Sequence, residues 1–384
     1  MSVYSSVVWR GQDFGYAVTR SEKDAMRDGY LRFEPSIEQS RPDEPEIIKT
    51  IVESIGRTNV SSFAKWHRAI RQQHAKGHGF LRGELKIYDD LPDHLRQGMF
   101  ATPRSYPIIV RLSTAFGDIR SDRIRVPRGM AIKVLGVKGP KALPDDYSSN
   151  QDFLLVNHKS YFSDAADYLS AQRIFEWQPT LPDFVLRALG LVSRGWVKLG
   201  VRSRWPILQL ANALGDGGNN ILGEAFYSEG ALRYGDYVAR LSASPVSESV
   251  LTLTGRPCNK DDNALLSSVV EFFSKNEAEY ELRAQLCTDL QRTPIEDASI
   301  DWPEEVSPYQ PVAKIVLPPQ AADNPARRAY ADDSLSFSPW RCLADHQPLG
   351  SIMRLRKEAY SASAAFRQSE TPITEPQSIS EFPD

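Results

Sequence analysis

The segment Arg356-Lys-Glu-Ala-Tyr-Ser-Ala-Ser-Ala-Ala-Phe-Arg367 decides how the rest of the sequence is interpreted. Four of its polar residues are spaced by four, three and four positions, so in a helix they share one face: Arg356, Tyr360, Ser363 and Arg367. An apolar stripe beside them predicts a packed helix over 350–367. A guanidinium next to a phenol lowers the pKa of the phenol, and a phenolate oxygen is a donor suited to ferric iron. A solvent-exposed polar face is the alternative interpretation.

Two earlier segments favour iron binding: Arg71-Gln-Gln-His-Ala-Lys-Gly-His-Gly79, and Val110-Arg-Leu-Ser-Thr114 followed by Val126-Pro-Arg-Gly-Met-Ala-Ile-Lys133. With the last helix, and in the same order along the chain, they resemble three motifs of the catalase superfamily. The resemblance covers about residues 60 to 367 and includes the strand-like segment 309–317. Only 17 residues follow Arg367, so the chain resembles the minimal catalase-like branch of small catalase-related peroxidases and allene oxide synthase-type haem domains.

The resemblance implies a haem b cofactor and a role for each matched residue. Tyr360 is expected to bind the haem iron, and Arg356 to keep Tyr360 as the phenolate. Ser363 stands where the family has threonine. Three arginines are expected to pair with the haem propionates and one aromatic ring to stack on the haem: Arg71, Arg111, Arg367 and Phe162.

On the opposite side of the haem, the resemblance implies that His74 relays the proton of the peroxide and that Ser113 fixes the orientation of the imidazole. The distal amide of the family is either supplied by Asn150, through a shift of one residue, or missing. Gln73 replaces an apolar residue before His74. We expect a hydrogen bond from its amide to His74 that restrains the relay. The other histidines, His158 among them, are assigned to helices, loops or the surface.

Apolar periodicity predicts an α+β fold, an eight-stranded antiparallel barrel with flanking helices and a helical insertion. The resemblance makes it a catalase-type barrel without a C-terminal helical accessory domain. Two helices are expected before residue 71, followed by two groups of four strands: Gly83–Tyr88, Pro107–Ser113, Met130–Val137, Phe153–Asn157, Tyr234–Leu241, Ser249–Thr254, Tyr280–Thr288 and Val312–Leu317.

The predicted domain organisation is an arm over 1–40, a single haem domain over 41–367 and a polar tail over 368–384. Within the haem domain we place the barrel at about 80–318, the helical insertion at about 164–215, a wrapping segment at 319–349 and the proximal helix at 350–367.

Composition and charge exclude several classes of function. The 384 residues carry 46 Lys and Arg against 49 Asp and Glu, a net charge of −3, which excludes a nucleic-acid footprint and favours a small-molecule partner. Three cysteines without metal-type spacing indicate reduced thiols. No segment approaches the ~20 apolar residues needed to span a bilayer. We therefore expect a cytoplasmic protein without a stable membrane span, and a homo-oligomer, namely a dimer.

The leading hypothesis is a haem-dependent hydroperoxidase that cleaves the O–O bond of hydrogen peroxide or an organic hydroperoxide. An alternative is a fatty-acid hydroperoxide isomerase or dehydratase resembling allene oxide synthase. This alternative rests on Gln73 and on the basic, apolar segment from Phe184 to Trp205, which suits a lipid carboxylate or peripheral membrane contact. A non-catalytic haem or lipid carrier is the third hypothesis.

Overall fold

The core of the molecule is a closed antiparallel β-barrel. The computed structural model describes residues 26–27, 29–158, 160, 162–177, 180–198, 218–258 and 261–384. One sheet contains these strands: β1 (Gly77–Ile87), β2 (Ser105–Thr114), β3 (Arg128–Leu135), β4 (Asn150–Val156), β5 (Phe226–Ser228), β6 (Ala231–Tyr234), β7 (Tyr237–Pro245), β8 (Ala278–Leu286), β9 (Tyr309–Leu317) and β10 (Pro348–Leu349). Eight strands close in the order β1–β2–β3–β4–β5–β7–β8–β9, with β9 paired back onto β1. The predicted eight-stranded barrel is confirmed.

The barrel interior is apolar because alternate residues of each strand point inward. In β2, Ile108, Val110 and Leu112 belong to the interior cluster, whereas Ile109 packs in a separate cluster on the outside. All three interior residues are fully buried. Each large aliphatic side chain buried in this way contributes roughly 2 kcal/mol of transfer free energy. The same alternation turns Arg111 and Ser113 to the outer face of β2.

Seven α-helices surround the barrel in the described part of the chain: α1 (Glu44–Trp66), α2 (Ala165–Trp177), α3 (Asp183–Lys198), α4 (Glu248–Leu251), α5 (Ala264–Phe273), α6 (Pro325–Ala329) and α7 (Ser351–Glu370). Helices α1, α2 and α7 pack against one another through Ile51, Ile55, Ala165 and Leu355. Residues of these three helices and of β2–β4 line one cavity. None of the described helices is long and apolar enough to cross a membrane.

The expectation of two helices before residue 71 is wrong, because α1 is continuous. The Asn59–Ser62 segment, interpreted as the start of a second helix, lies inside α1. The hydroxyls of Thr58 and Ser61 donate to main-chain carbonyls four residues earlier, so these polar residues are accommodated in the helix. His67, with a left-handed φ of 53°, follows α1 and ends it.

The predicted strand Ser249–Thr254 is also wrong. This segment forms α4 and a following turn. Val250 is fully buried and Leu251 is 48% exposed, a one-sided burial that the alternating apolar residues of the sequence did not distinguish from a strand. The short strand β5, absent from the prediction, takes its place and joins β4 to β7.

The segments outside the barrel depart from the prediction in two ways. Helix α7 continues past Arg367 to Glu370, and the predicted polar tail packs on the barrel through Phe382, which is 2% exposed. Residues 1–25 of the predicted arm and 199–217 at the end of the predicted insertion lie outside the described residues.

Candidate functional site

A buried cavity lies between the outer face of β2–β4 and the helices α1, α2 and α7. Its volume is about 230 Å³, against about 30 Å³ for a second cavity. Its lining contains ten of the residues that the sequence singled out: Arg71, Gln73, His74, Arg111, Ser113, Phe162, Arg356, Tyr360, Ser363 and Arg367. Residues up to 296 positions apart are thus brought to one site by the barrel and the helices packed on it.

The helical wall of the cavity presents a phenol held by a guanidinium. Arg356 and Tyr360 are one turn apart on α7, and Nη2 of Arg356 donates to Oη of Tyr360 at 3.1 Å. Nη1 of Arg356 lies 3.2 Å from Oε2 of Glu229, a residue of the turn between β5 and β6. Burial lowers the pKa of Arg356, but Tyr360 and Glu229 outweigh it, so the net shift is upward. The guanidinium therefore stays charged beside the phenol.

His74 lies in the wall formed by the barrel. Nδ1 of His74 is 3.0 Å from Oγ of Ser113 on β2. Its φ of 56° is left-handed, a conformation that costs a non-glycine residue energy and is typical of functional positions. Gly129 makes room for the ring, because a Cβ there would lie 2.6 Å from the imidazole. Burial, followed by the charges of Arg111 and Arg356, lowers the pKa of His74 to about 3, so the imidazole is neutral at pH 7.

The Gln73 side chain does not hydrogen-bond to His74 as expected. Nε2 of Gln73 donates to Oη of Tyr168 on α2 at 2.6 Å. Tyr168 lies edge-on to Phe162, with ring centroids 5.1 Å apart, and close to Phe175. Gln73 is therefore tied to an aromatic group on the helical side of the cavity.

Three arginines cluster at one end of the cavity around a π-helical turn, Tyr330–Ser334. Arg71 donates to the main-chain carbonyls of residues 331 and 335, both at 2.6 Å, and Arg367 donates to the carbonyl of Asp332 at 2.9 Å. The Asp332 carboxylate accepts from Arg111 at 2.9 Å and from Arg71 at 3.3 Å. These contacts hold the three guanidinium groups at the edge of the cavity.

The positive charge of the three clustered arginines is only partly neutralised by the nearby carboxylates of Asp332 and Asp333. Burial lowers the pKa of Arg71 well below its usual value and lowers that of Arg367 to about 10. The charges of neighbouring arginines, above all Arg111, lower both pKa values further. The charges of Asp332 and Asp333 act in the opposite direction but offset only part of the shift. Nε of Arg367 is buried and has no hydrogen-bond partner among the described residues. A buried donor without a partner is costly, so this site suits an anionic ligand.

Asn150, by contrast, is not brought to this cavity. It is the first residue of β4, and its amide donates to the carbonyl of Pro376 at 3.0 Å. The cavity contacts β4 at Leu154–Val156, four to six positions along the strand from Asn150, a separation of about 13 to 20 Å. Asn150 lies at the start of β4, whereas the cavity and His74 lie at the other end of this strand.

Several solved structures of catalases share this architecture. A fungal catalase matches at 19% identity over 80% of this chain and 60% of its own, with a TM-score of 0.54. Catalase A from Saccharomyces cerevisiae matches at 17% identity over 80% and 62%, also with a TM-score of 0.54. A bacterial catalase matches at 13% identity over 94% and 68%, with a TM-score of 0.53.

The chain has the catalase fold. It spans about three fifths of the length of the first two catalases. No protein-family model and no curated protein matches the sequence.

Three titratable residues that line the catalase-fold cavity escaped the sequence-based prediction. Glu229 and Tyr168 line the cavity, as does His158, whose charge contributes to the lowered pKa of His74. His158 follows β4 at the end where Val156 meets the cavity, so the end of a predicted strand was the available signal. For Glu229 and Tyr168 the sequence offered no spacing or motif, because segments far apart in the chain bring them to the site.

Proposed function

We propose that the protein is a haem-dependent hydroperoxidase that cleaves the O–O bond of hydrogen peroxide or an organic hydroperoxide. The observation that carries the proposal is the pairing, in one buried cavity, of the Tyr360 phenol held by Arg356 with the neutral imidazole of His74. The Tyr360 oxygen suits ferric iron, and the His74 imidazole suits proton transfer to and from a peroxide.

The residues present fit haem b. Tyr360 is an oxygen donor of the kind that catalase iron accepts, and the apolar lining from Ala131, Val156 and Leu355 suits a porphyrin ring. The excess positive charge of the arginine cluster and the unpartnered Nε of Arg367 suit two propionates. When bound, ferric haem supplies the electrons for breaking the O–O bond.

His74 carries the proton in this proposal. If Nδ1–H donates to Ser113, the lone pair of Nε2 is free to accept the proton of the peroxide oxygen nearer the iron. The low pKa of His74 makes the resulting imidazolium a ready acid, and it returns the proton to the departing oxygen. Ser113 and Gly129 keep the imidazole in one orientation.

The absorption spectrum of haem-loaded protein tests the proposal. Tyr360→Phe removes the donor oxygen, and we expect a shifted Soret band and weaker ferric haem binding. Tyr168→Phe is the matched control, because it removes a second phenol of the same cavity and is expected to leave the Soret band in place. A Soret band that is identical in wild type and Tyr360→Phe refutes the ligand assignment.

The aromatic lining favours a second candidate, a fatty-acid hydroperoxide isomerase or dehydratase. Phe116, Phe162, Tyr168 and Phe175 all contact the cavity and suit an acyl chain. Incubation with a polyunsaturated hydroperoxide and analysis of the products separates the two candidates, since only the isomerase gives a rearranged product. Haem-loaded protein that neither consumes peroxide nor oxidises a donor dye would indicate a carrier.

A further inference from the structure

Glu229 is a carboxylate of the cavity wall that shares an arginine with Tyr360. One guanidinium nitrogen of Arg356 contacts Glu229 at 3.2 Å, and the other donates to Tyr360 at 3.1 Å. The Arg356 side chain is only 10% exposed, so its interactions are weakly screened by solvent. Two oxygen acceptors therefore divide one buried positive charge.

We propose that Glu229 is a positioning residue that sets the donor strength of Tyr360 toward haem iron through Arg356. This inference rests on the proposed function. The negative charge of Glu229 partly neutralises the positive charge of Arg356, so Arg356 withdraws less electron density from the Tyr360 oxygen. Tyr360 is then a stronger donor, which favours the ferric over the ferrous state.

The turn that carries Glu229 is fixed against α7 and β7. Gly230 packs so closely on α7 that a Cβ there would lie 2.6 Å from Cγ of Met353, one turn before Arg356. Oγ of Ser228 accepts a hydrogen bond from the main-chain N–H of Leu241 on β7 at 2.9 Å. Both neighbours of Glu229 are thus held, and the carboxylate is directed at Arg356. A surface ion pair of mobile side chains lacks this support.

Substitution of the Glu229 carboxylate by an amide tests the effect of its charge separately from its size. Glu229→Gln keeps the size of the side chain and an oxygen that accepts from Arg356, but removes the negative charge. We expect a more positive Fe(III)/Fe(II) midpoint potential and a ferric haem affinity lower by about 10-fold, the lower end of the usual effect of such outer partners. Glu229→Asp, which keeps the charge, is expected to lie closer to wild type than Glu229→Gln in both measurements.

Glu296→Gln is the matched control. Glu296 pairs at 2.7 Å with Arg354, which is also on α7, and Arg354 keeps Glu38 and Glu44 as partners. None of these carboxylates lines the cavity. We expect the midpoint potential and the haem affinity of Glu296→Gln to equal those of wild type.

The outcomes separate this inference from the proposed function. A midpoint potential of Glu229→Gln equal to wild type overturns the role of Glu229, while a Soret shift in Tyr360→Phe still supports the haem ligand. A Soret band and potential unaffected by Tyr360→Phe refute the proposed function instead. If far-ultraviolet circular dichroism shows that Glu229→Gln is unfolded, Glu229→Ala carries the same test, with the same direction of shift expected.

Discussion

Gly129 is the residue on which the position of the His74 imidazole depends most directly. A Cβ at residue 129 would lie 2.6 Å from both Nδ1 and Cε1 of the ring and 3.0 Å from Oγ of Ser113. Real Cβ atoms essentially never come so close, so the imidazole or the backbone at residue 129 must shift, and we expect this shift to weaken the His74–Ser113 contact. The absence of a side chain at Gly129 is thus part of the geometry of the proposed site.

Gly129→Ala is expected to lower peroxide consumption by about 100-fold, the lower end of what a positioned general acid–base contributes. Haem should still bind, because Tyr360 and the arginine cluster are untouched. The measurements are the turnover rate and the Soret absorbance of the same samples. Gly56→Ala is the control, since a Cβ there meets nothing within 4 Å and the substitution lies in the middle of α1. Equal rates in the two variants would contradict the role of His74.

Buried histidines make the stability depend on pH. Burial lowers the pKa of His346 to about 3, and Nε2 of His346 accepts the main-chain N–H of Met99 at 3.0 Å. An unfolded chain has histidines with a pKa near ~6.5, so between pH 6.5 and 3 it binds a proton that the folded protein does not. The stabilising contribution of the neutral, buried His346 is therefore complete above a pH of about 6.5, and the free energy of unfolding decreases as the pH falls below that value.

Urea unfolding between pH 6 and 4 measures this effect. Each such histidine lowers the free energy of unfolding by about 1.4 kcal/mol per pH unit. His346→Gln removes the titrating group and retains an oxygen for Met99, so its free energy of unfolding should fall less steeply with pH than that of wild type. Parallel curves for the two proteins would show that His346 is protonated in the folded state.

At the site, spacing alone predicted the Arg356–Tyr360 contact, and the resemblance supplied residues that meet from distant segments, such as His74 and Ser113. Tyr360 and Arg356 are one helical turn apart, so the geometry of any helix brings them together. The Arg356–Glu229 and Gln73–Tyr168 contacts join distant segments, and no local pattern encodes them. Asn150 was placed by counting along a motif, a procedure that takes no account of where the strand meets the cavity.

At the level of elements, the apolar periodicity of the sequence predicted most of the barrel strands, but it predicted their first and last residues poorly. Strands β1–β4 alternate between an apolar interior and a mixed exterior, which the sequence shows directly. The three residues of β5 are too few to give a period. In α1, Ser and Thr resemble a helix start by composition, and only the hydrogen bonds of their hydroxyls show that the helix continues.

The segment after α7 stabilises the element that holds the arginine cluster. The main-chain N–H of Thr374 donates to the carbonyl of Ser334 at 3.0 Å, next to the π-helical turn. Glu375 lies 2.9 Å from the fully buried Lys133 and 3.0 Å from Arg341. These two cations hold the pKa of Glu375 below its usual value, although burial opposes the shift. The tail is therefore bound by buried charges.

Glu375→Gln leaves Lys133 and Arg341 with Asp152 as their remaining carboxylate partner. We expect a loss of roughly 2 kcal/mol in the free energy of unfolding, because a buried charge loses a partner. Haem affinity should also fall, since the turn that orients Arg71 and Arg367 is loosened. Chemical denaturation and haem titration provide the two measurements. In the control, Glu46→Gln breaks the exposed pair with Lys49 and should cost no more than about 0.5 kcal/mol.

Segments from before and after the barrel meet at the cavity, so we expect ligand binding there to stabilise the folded state. Arg71 precedes the barrel and Arg367 follows it, yet both donate to the carbonyl of Leu335. A ligand that binds only the folded state at 100 times its dissociation constant raises the free energy of unfolding by about 2.7 kcal/mol. Thermal unfolding with and without ferric haem should show this gain in wild type. In Tyr360→Phe, at the same haem concentration, the gain should be smaller, and an equal gain would contradict the assigned ligand.

Closure of the barrel places a constraint on the time course of folding. Strands β9 and β1 pair through Ala313 and Ile87, more than 200 residues apart, so the ring cannot close until most of the chain has been synthesised. His74 and Arg111 leave the ribosome early, but Tyr360 emerges only after the last barrel strand. We therefore expect the nascent chain to have no site for its ligand. Binding of the proposed haem would then follow translation, and the unliganded barrel would be the form that the cell first contains.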